Sequence, residues 1–125
     1  MFSSEQLTDG PCLILIGQAL AKAQASLGII EANHAEEIAK ALERFDPDLK
    51  SLSHDVAVDG MAVPGLVRQI KASLDTDPAA AFHLNCTSQD VIDTSGMMRM
   101  RQAHAIIVDR LKTLIAELET LSNTN

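Results

Sequence analysis

Apolar residues recur along this chain three and four positions apart, as they do on one face of a helix, and no useful stretch alternates as a strand does. The first helical stretch runs from Pro11 to Leu27. Pro11 suits the first position of a helix, and Gly28 suits the residue just after its end. This pattern predicts an all-α fold.

Two further helical stretches follow in the first half of the chain. Residues 33–45 have an apolar face, and we interpret Asn33 as the N-cap, with Glu36 three residues later as in a capping box. A third, shorter helix or turn follows Pro47. Its apolar residues are Leu49, Leu52 and Val56.

The second half of the chain is predicted to hold one short helix and one long helix. Pro64 suits the first turn of a helix that reaches about residue 74. We expect four of its apolar residues to be buried: Leu66, Val67, Ile70 and Leu74. Residues 75–78 are predicted to form a turn, and the last helix is predicted to begin after Thr87 and to continue to about Leu121.

The predicted last helix is long for the chain. About 34 residues at about 1.5 Å each give a helix of roughly 50 Å. A compact chain of 125 residues has a radius of gyration of about 14 Å and hence a diameter of roughly 36 Å, so this helix would extend beyond it. Its outer half still carries apolar residues, which need other helices to cover them: Ile107, Leu111, Leu114, Ile115 and Leu118. We therefore expect residues 1–86 to form an N-terminal helical domain. Residues 87–125 would start a long bundle helix, in a fragment or in a subunit of an oligomer.

Composition and charge limit the classes of molecule that this chain is suited to bind. Hydrophobic residues make up 46% of the chain, which is enough for a core, and the formal net charge is -7 with no basic stripe. Such a chain is poorly suited to bind nucleic acid or anionic membranes, and no apolar run has the length of a membrane span. Cys12 and Cys86 are too few for a disulfide framework, so we expect reduced thiols in a cytoplasmic protein.

Residues 83–94, HLNCTSQDVIDT, concentrate polar side chains directly before the long helix. Thr87 is a good N-cap, and Asp90 three positions later completes an acidic form of the capping box. The same helix end offers free N–H groups and partial positive charge, which suit a carboxylate or a phosphate. His83 could add a cation or a proton donor. Both interpretations stay open, because a cap and a ligand site share one helix end.

This stretch resembles the first signature region of the fumarase/aspartase superfamily. Within that superfamily it is most like bacterial 3-carboxy-cis,cis-muconate cycloisomerases, which have roughly HWGATSQDVIDT, and the TSQDVIDT half is intact here. Residues 19–30, ALAKAQASLGII, resemble the family's first long helix, and residues 62–72, AVPGLVRQIKA, resemble its LVRQL segment. The resemblance runs from about Leu13 to Leu121.

The resemblance implies an all-α homotetramer, in which a small helical domain leads into a long central bundle and each active site draws on three subunits. The implied chemistry adds or removes a proton and a carboxylate-stabilised leaving group across a carbon–carbon bond. In the cycloisomerases, which act in aromatic catabolism, a substrate carboxylate closes a lactone. Thr87, Ser88 and Gln89 would then bind a small polycarboxylate, with Gln89 and Asp90 supporting the loop and the helix start, and His83 would be the catalytic residue of this segment. No metal and no cofactor is implied.

Three positions depart from the family pattern. Asn85 stands where the family has Gly, Leu84 where it has an aromatic residue, and Gly17 where its first helix usually has Glu. The family's second and third signature regions, with a catalytic His and the catalytic Ser of a flexible loop, have no counterpart in these 125 residues. We therefore expect the chain to supply one of three parts of a site and to be inactive alone.

Two alternative functions stay open. Residues 53–56, SHDV, resemble a segment of adenylosuccinate lyases in which the His contributes to catalysis, but the spacing from His54 to His83 is too long for that branch. We expect a solvent-facing His54. A truncated family member that acts only as a non-catalytic helical oligomerisation module also fits the departures.

The remaining reactive side chains have plainer interpretations. A lowered pKa beside the helix N-terminus would make Cys86 nucleophilic, yet no His/Asn arrangement supports a cysteine hydrolase. His83 and Cys86 lack a second ligand pair for zinc. His34 and His104 fit surface or packing roles. We interpret three methionines as core filler: Met97, Met98 and Met100.

Overall fold

The computed structural model describes residues 9–124, and every regular element in that range is an α-helix. The helices are α1 (Asp9–Ser26), α2 (Ala32–Glu43), α3 (Leu49–Asp59), α4 (Val63–Ala72), α5 (Thr76–Ala81) and α6 (Ser88–Asn123). The predicted all-α fold is confirmed. In the described part of the chain, no helix combines the length and the apolar composition needed to cross a membrane.

The chain divides into two compact units, and the division falls inside α6. The first unit ends at Ser95 and contains α1 to α5 and the first turns of α6. The second unit is Gly96–Asn125, and its described side chains are exposed or half-buried. The domain boundary after residue 86, which rests on the start of α6 and the resemblance, stays a prediction.

The core lies in the first unit and draws on most of its helices. Its largest fully buried side chains are Phe82, Leu13, Ile38, Leu42, Leu66, Ile70, Val63 and Val91. Full burial of one such side chain stabilises the folded state by about 1.5–3 kcal/mol. Phe82 follows α5 directly, and Val91 belongs to the first turns of α6, so the core includes both ends of the loop that joins these helices.

Gly17 lets α1 lie close to α2 and to Phe82. A Cβ atom at this position would be 2.9 Å from Phe82 Cε2 and 3.0 Å from Leu42 Cδ1. Glycine inside a helix costs about 1 kcal/mol relative to alanine, and the close packing offsets that cost. The departure from the family's glutamate therefore has a structural reason, since a larger side chain has no room here.

The end of α1 is confirmed, and the predicted start of α2 is wrong. Gly28 has a φ of 69°, and its N–H and that of Ile29 donate to carbonyls of the last turn of α1, as in a Schellman motif. The N-cap of α2 is Glu31, which makes no side-chain capping bond, so Asn33 lies inside the first turn.

Hydrogen bonds and ion pairs join α3 and the loop before it to α4. Asp48 caps α3 by accepting bonds from the next turn, and Gln69 of α4 pairs with the Asp48 backbone, accepting from its N–H at 2.9 Å and donating to its carbonyl at 3.2 Å. Arg68 of α4 forms ion pairs with Asp55 at 3.0 Å and with Asp59 at 3.3 Å. The LVRQI segment thus anchors α3 and the loop before it.

Two predictions in this region need correction. Residues 75–78 are not merely a turn, because the helix α5 begins at Thr76. Pro78 lies in the first turn of α5, where its missing N–H has no intrahelical partner to lose, and alanines follow it. In α4, Leu66 and Ile70 are buried as predicted, whereas Val67 is only half-buried. Leu74, which is also predicted to be buried, lies just after the end of α4 and is half-buried.

Candidate functional site

A reciprocal cap closes the N-terminus of α6, as the sequence predicts. The N–H and the hydroxyl of Thr87 donate to Asp90 Oδ2 at 2.7 Å and 2.8 Å, and the N–H of Asp90 is 3.3 Å from Thr87 Oγ1. The backbone bond, followed by the hydroxyl bond, lowers the pKa of Asp90, so its carboxylate is charged at neutral pH. The hydroxyl of Thr87 is therefore committed to the cap.

The two residues after Thr87 differ in what their side chains can offer a ligand. Gln89 Nε2 donates to Asp93 Oδ1 one turn further on, at 2.6 Å. Ser88 is half-buried, and its hydroxyl has no hydrogen-bond partner among residues 9–124. Of the three residues predicted to bind substrate, Ser88 is the one whose side chain makes no hydrogen bond within residues 9–124, although the binding role of all three stays a prediction.

The loop before Thr87 has an unusual backbone. His83 and Asn85 adopt the left-handed conformation, with φ of 62° and 56°. Few residues other than glycine adopt it, and asparagine is among the more tolerant. The positive φ accounts for Asn85 at a position where the family has Gly. Between them, the carbonyl of Leu84 accepts a 2.9 Å hydrogen bond from Gln24 Nε2.

His83 is half-buried beside Phe82, with 6.2 Å between the ring centroids. Its Nε2 atom is buried and has no hydrogen-bond partner among the described residues. Burial lowers the pKa of His83, Lys71 lowers it further, and the negative charge of Asp90 opposes them. The ring is therefore mainly neutral at neutral pH. That state suits hydrogen bonding and proton acceptance better than the cationic role considered from the sequence.

Cys86 is not an activated thiol. Burial raises its pKa, and the carboxylate of Asp90 raises it further. The prediction of a lowered pKa for Cys86 is therefore wrong, because burial and, after it, the charge of the capping Asp90 disfavour a thiolate. In the described part of the chain, no three His, Cys, Asp or Glu residues cluster so as to hold a metal ion.

The other singled-out side chains lie outside this loop. His54 and His104 are exposed, as a surface role predicts, and His34 is half-buried. The interpretation of three methionines as core filler is wrong for this chain, since their exposed fractions are 63%, 38% and 64% for Met97, Met98 and Met100. They lie in the second unit, where the described residues 96–123 form one helix and supply no facing helix to make a core.

Gln24 and Lys71 are not predicted as site residues by the sequence patterns. Gln24 is only 6% exposed and continues the buried stripe of α1, after Leu13, Gly17 and Ala21. A polar residue in register with a buried stripe is a signal that could have been used, because a buried amide needs a partner. Lys71 lies in the AVPGLVRQIKA segment, but that pattern does not indicate its influence on the pKa of His83.

Comparisons with known proteins cover most of this chain. It is 32% identical over 111 residues, 89% of its length, to trans-aconitate decarboxylase 1 from Mycosarcoma maydis, of which it covers 22%. It is 30% identical over 86% of its length to adenylosuccinate lyase from Methanothermobacter thermautotrophicus, of which it covers 24%. It is 33% identical over 75% of its length to 3-carboxy-cis,cis-muconate cycloisomerase from Acinetobacter baylyi. The chain thus spans less than a quarter of the length of these relatives.

A solved structure is similar over the same extent. The crystal structure of fumarate lyase from Mesorhizobium sp. BNC1 matches with a TM-score of 0.77 and 30% identity, over 88% of this chain and 25% of that one. No protein-family model matches the chain. The similar proteins catalyse different reactions, so similarity alone does not select one reaction for this chain.

Proposed function

We propose that this chain, whose relatives and fold support the fumarase/aspartase superfamily, is the N-terminal part of an enzyme that acts on small polycarboxylates. In this proposal the start of α6 forms one wall of a carboxylate-binding site. The proposed reaction is that of a 3-carboxy-cis,cis-muconate cycloisomerase: a carboxylate oxygen adds to a carbon–carbon double bond, and the neighbouring carbon takes a proton.

The observation that carries the proposal is the state of Ser88. Its hydroxyl is uncommitted, and it lies in the first turn of α6, where backbone N–H groups have no intrahelical acceptor. The bonds between Thr87 and Asp90 hold this helix end in place without using Ser88. A helix N-terminus with an adjacent hydroxyl is well suited to bind a carboxylate.

The charges around the helix end set limits on this binding. Asp90 is negative, and the formal net charge of the chain is -7, so the local donors must attract an anion against the overall charge. The positive charge of Lys71 acts on His83 and offsets part of this repulsion. His83, mainly neutral, would orient the substrate through a hydrogen bond. The group that transfers the proton would come from another part of the whole enzyme.

The choice of reaction rests on sequence. TSQDVIDT and AVPGLVRQIKA favour the cycloisomerase branch. An adenylosuccinate-lyase-like elimination is the second candidate, because such a lyase aligns with most of this chain. In that reaction a carbon–nitrogen bond breaks and the neighbouring carbon loses a proton. The exposed His54 gives this candidate no support from the SHDV segment.

NMR spectroscopy on the 125-residue chain tests the proposal. Titration with 3-carboxy-cis,cis-muconate should shift the amide signals of residues 87–90, and Ser88→Ala should weaken that binding. Ser53→Ala, an exposed serine on α3, is the matched control and should change nothing. A parallel titration with adenylosuccinate separates the two reactions. If neither ligand shifts the start of α6, or if Ser88→Ala binds like the unmodified chain, the proposed carboxylate site is wrong.

A non-catalytic role is favoured by one observation, the exposed apolar side chains of the second unit. The proposal that the chain forms a homo-oligomer, a tetramer by the family resemblance, rests on the same side chains. Sedimentation should show self-association of the isolated chain. Self-association without binding of either carboxylate ligand would favour the oligomerisation module over the enzyme. Location in the cytoplasm stays part of the proposal.

A further inference from the structure

Gln24 makes a long-range bond that the proposed function does not use. It is a buried polar residue on α1, and its side-chain Nε2 donates to the carbonyl of Leu84, 60 residues away, at 2.9 Å. A carbonyl only accepts, so the NH2 side of the amide must face Leu84. A buried amide without a partner is costly, and this bond removes that cost for the amide nitrogen and for the Leu84 carbonyl together.

The loop that Gln24 holds has few other short bonds. Leu84 lies between the left-handed residues His83 and Asn85. The backbone bonds inside the loop are longer: Leu84 N to Ala81 O is 3.4 Å, and Cys86 N to His83 O is 3.3 Å. Residues in sparsely populated conformations persist only when the surrounding structure fixes them. The bond from Gln24 is the shortest hydrogen bond to residues 83–86 in the described structure.

We infer that Gln24 is a positioning residue: by holding the Leu84 carbonyl, it fixes the left-handed loop that places His83 beside the start of α6. The role acts through His83, since Gln24 contacts the loop backbone. The inference rests on the proposed function for its purpose, because the start of α6 is the proposed carboxylate wall. The loop geometry can nevertheless be tested without any ligand.

The alternative is that Gln24 only fills space at the end of α1. Its backbone carbonyl accepts the bond from Ile29 that closes α1, and that bond does not need the side chain. Gln24→Met keeps the length of the side chain and removes its hydrogen bonds. Gln24→Glu keeps the shape and, at a pH where its carboxyl is ionised, replaces the donor by an oxygen that repels the Leu84 carbonyl. Ile38→Val, a core change on α2, controls for a general loss of stability.

NMR spectroscopy on the 125-residue chain provides the readout. In the unmodified chain the side-chain NH2 of Gln24 should exchange slowly with solvent. In both Gln24 variants the carbon chemical shifts of His83 and Asn85 should leave their left-handed values. The titration of His83 should move up towards its ordinary pKa, because a released ring is hydrated and lies further from Lys71. The negative charge of Asp90 raises the pKa of His83, and no variant replaces Asp90, so this effect stays present in all of them. Ile38→Val should leave all of these signals in place.

The inference is overturned if Gln24→Met folds and leaves the backbone shifts and the titration of His83 unchanged. If both Gln24 variants fail to fold, the unmodified chain decides: slow exchange of the Gln24 NH2 supports the bond, and fast exchange overturns it. A titration with 3-carboxy-cis,cis-muconate separates the two proposals. No binding by the unmodified chain refutes the carboxylate site but leaves the loop result standing. A released loop that still binds as tightly as before overturns the positioning role.

Discussion

The two units of this chain carry similar helical patterns of apolar residues and bury them differently. Among the residues of the first unit that the structure describes, eight large apolar side chains are at most 2% exposed. In the second, six are between 49% and 59% exposed: Ile107, Leu111, Leu114, Ile115, Leu118 and Leu121. The difference teaches that helical periodicity predicts which face of a helix is apolar, whereas burial depends on the residues of the facing elements.

The largest expected difference between the units comes from removing one apolar side chain in each. Phe82 is 1% exposed, so Phe82→Ala should lower the free energy of unfolding by about 3–5 kcal/mol, through lost burial and the cavity left behind. Leu114 is 49% exposed, so Leu114→Ala should change it by less than about 0.5 kcal/mol. Urea unfolding of the dilute chain measures both. If the loss of unfolding free energy in Leu114→Ala grows with protein concentration, the contrast between the two units fails, because self-association then buries the apolar face that carries Leu114.

A pair of glycines should give effects of opposite sign. Gly17→Ala places a Cβ within 3.0 Å of Phe82 and Leu42, so it should destabilise the chain by about 1–3 kcal/mol. Gly96 has no heavy atom within 4 Å of such a Cβ, so Gly96→Ala should stabilise its helix by about 1 kcal/mol. The same unfolding measurement serves both variants. Equal signs would mean that the packing around Gly17 relaxes without cost.

The smallest expected effects concern the cap of α6. Thr87→Ala removes the capping hydroxyl and should cost about 1 kcal/mol of stability. In the second unit, the hydroxyl of Thr113 bonds, among the described residues, only to the carbonyl of Asp109 one turn earlier, so Thr113→Ala should have almost no effect. Hydrogen exchange can locate the loss, which should affect the amides of residues 88–95. Equal losses in the two variants would contradict the cap.

The same cap predicts a dependence on pH. The folded-state pKa of Asp90 lies below its ordinary value of 3.8, so its stabilising contribution is fully present above that value. The contribution is lost as the pH falls through the lowered folded value. Thr87→Ala removes the hydroxyl bond that is the second cause of this shift, so it should weaken the acid-dependent loss without abolishing it. An unchanged pH profile in the variant would show that the backbone bond acts alone.

The sequence predicts the helices well where a helix end has an unambiguous residue. Gly28 marks the end of α1, Pro64 the start of α4 and Thr87 the start of α6. Prediction of a helix start fails where a residue type fits both a turn or cap and the first turn of a helix. Pro78 is compatible with a turn but lies in the first turn of α5, and Asn33 is a residue type that often caps helices but lies two positions after the N-cap of α2.

In the candidate site, hydrogen bonds between residues close together in the sequence can be predicted from the sequence, whereas bonds between residues far apart in it cannot. The bonds between Thr87 and Asp90 span three positions and follow from the capping-box pattern. The bond from Gln24 to Leu84 spans 60 residues, and a sequence pattern does not reveal which backbone carbonyl will meet a buried amide. The raised pKa of Cys86 does not follow from its position beside a helix N-terminus, because burial and the charge of Asp90 outweigh the effect of the helix end.

The left-handed residues at positions 83 and 85 restrict which mutations this loop can accept. Valine, isoleucine and threonine are poorly compatible with that conformation, whereas glycine, asparagine and aspartate fit it. A lineage that replaced His83 would therefore have a narrow set of accessible residues, and most of them are small and polar. The backbone conformation, as well as any binding role, thus limits which residue types can occupy positions 83 and 85 beside the start of α6.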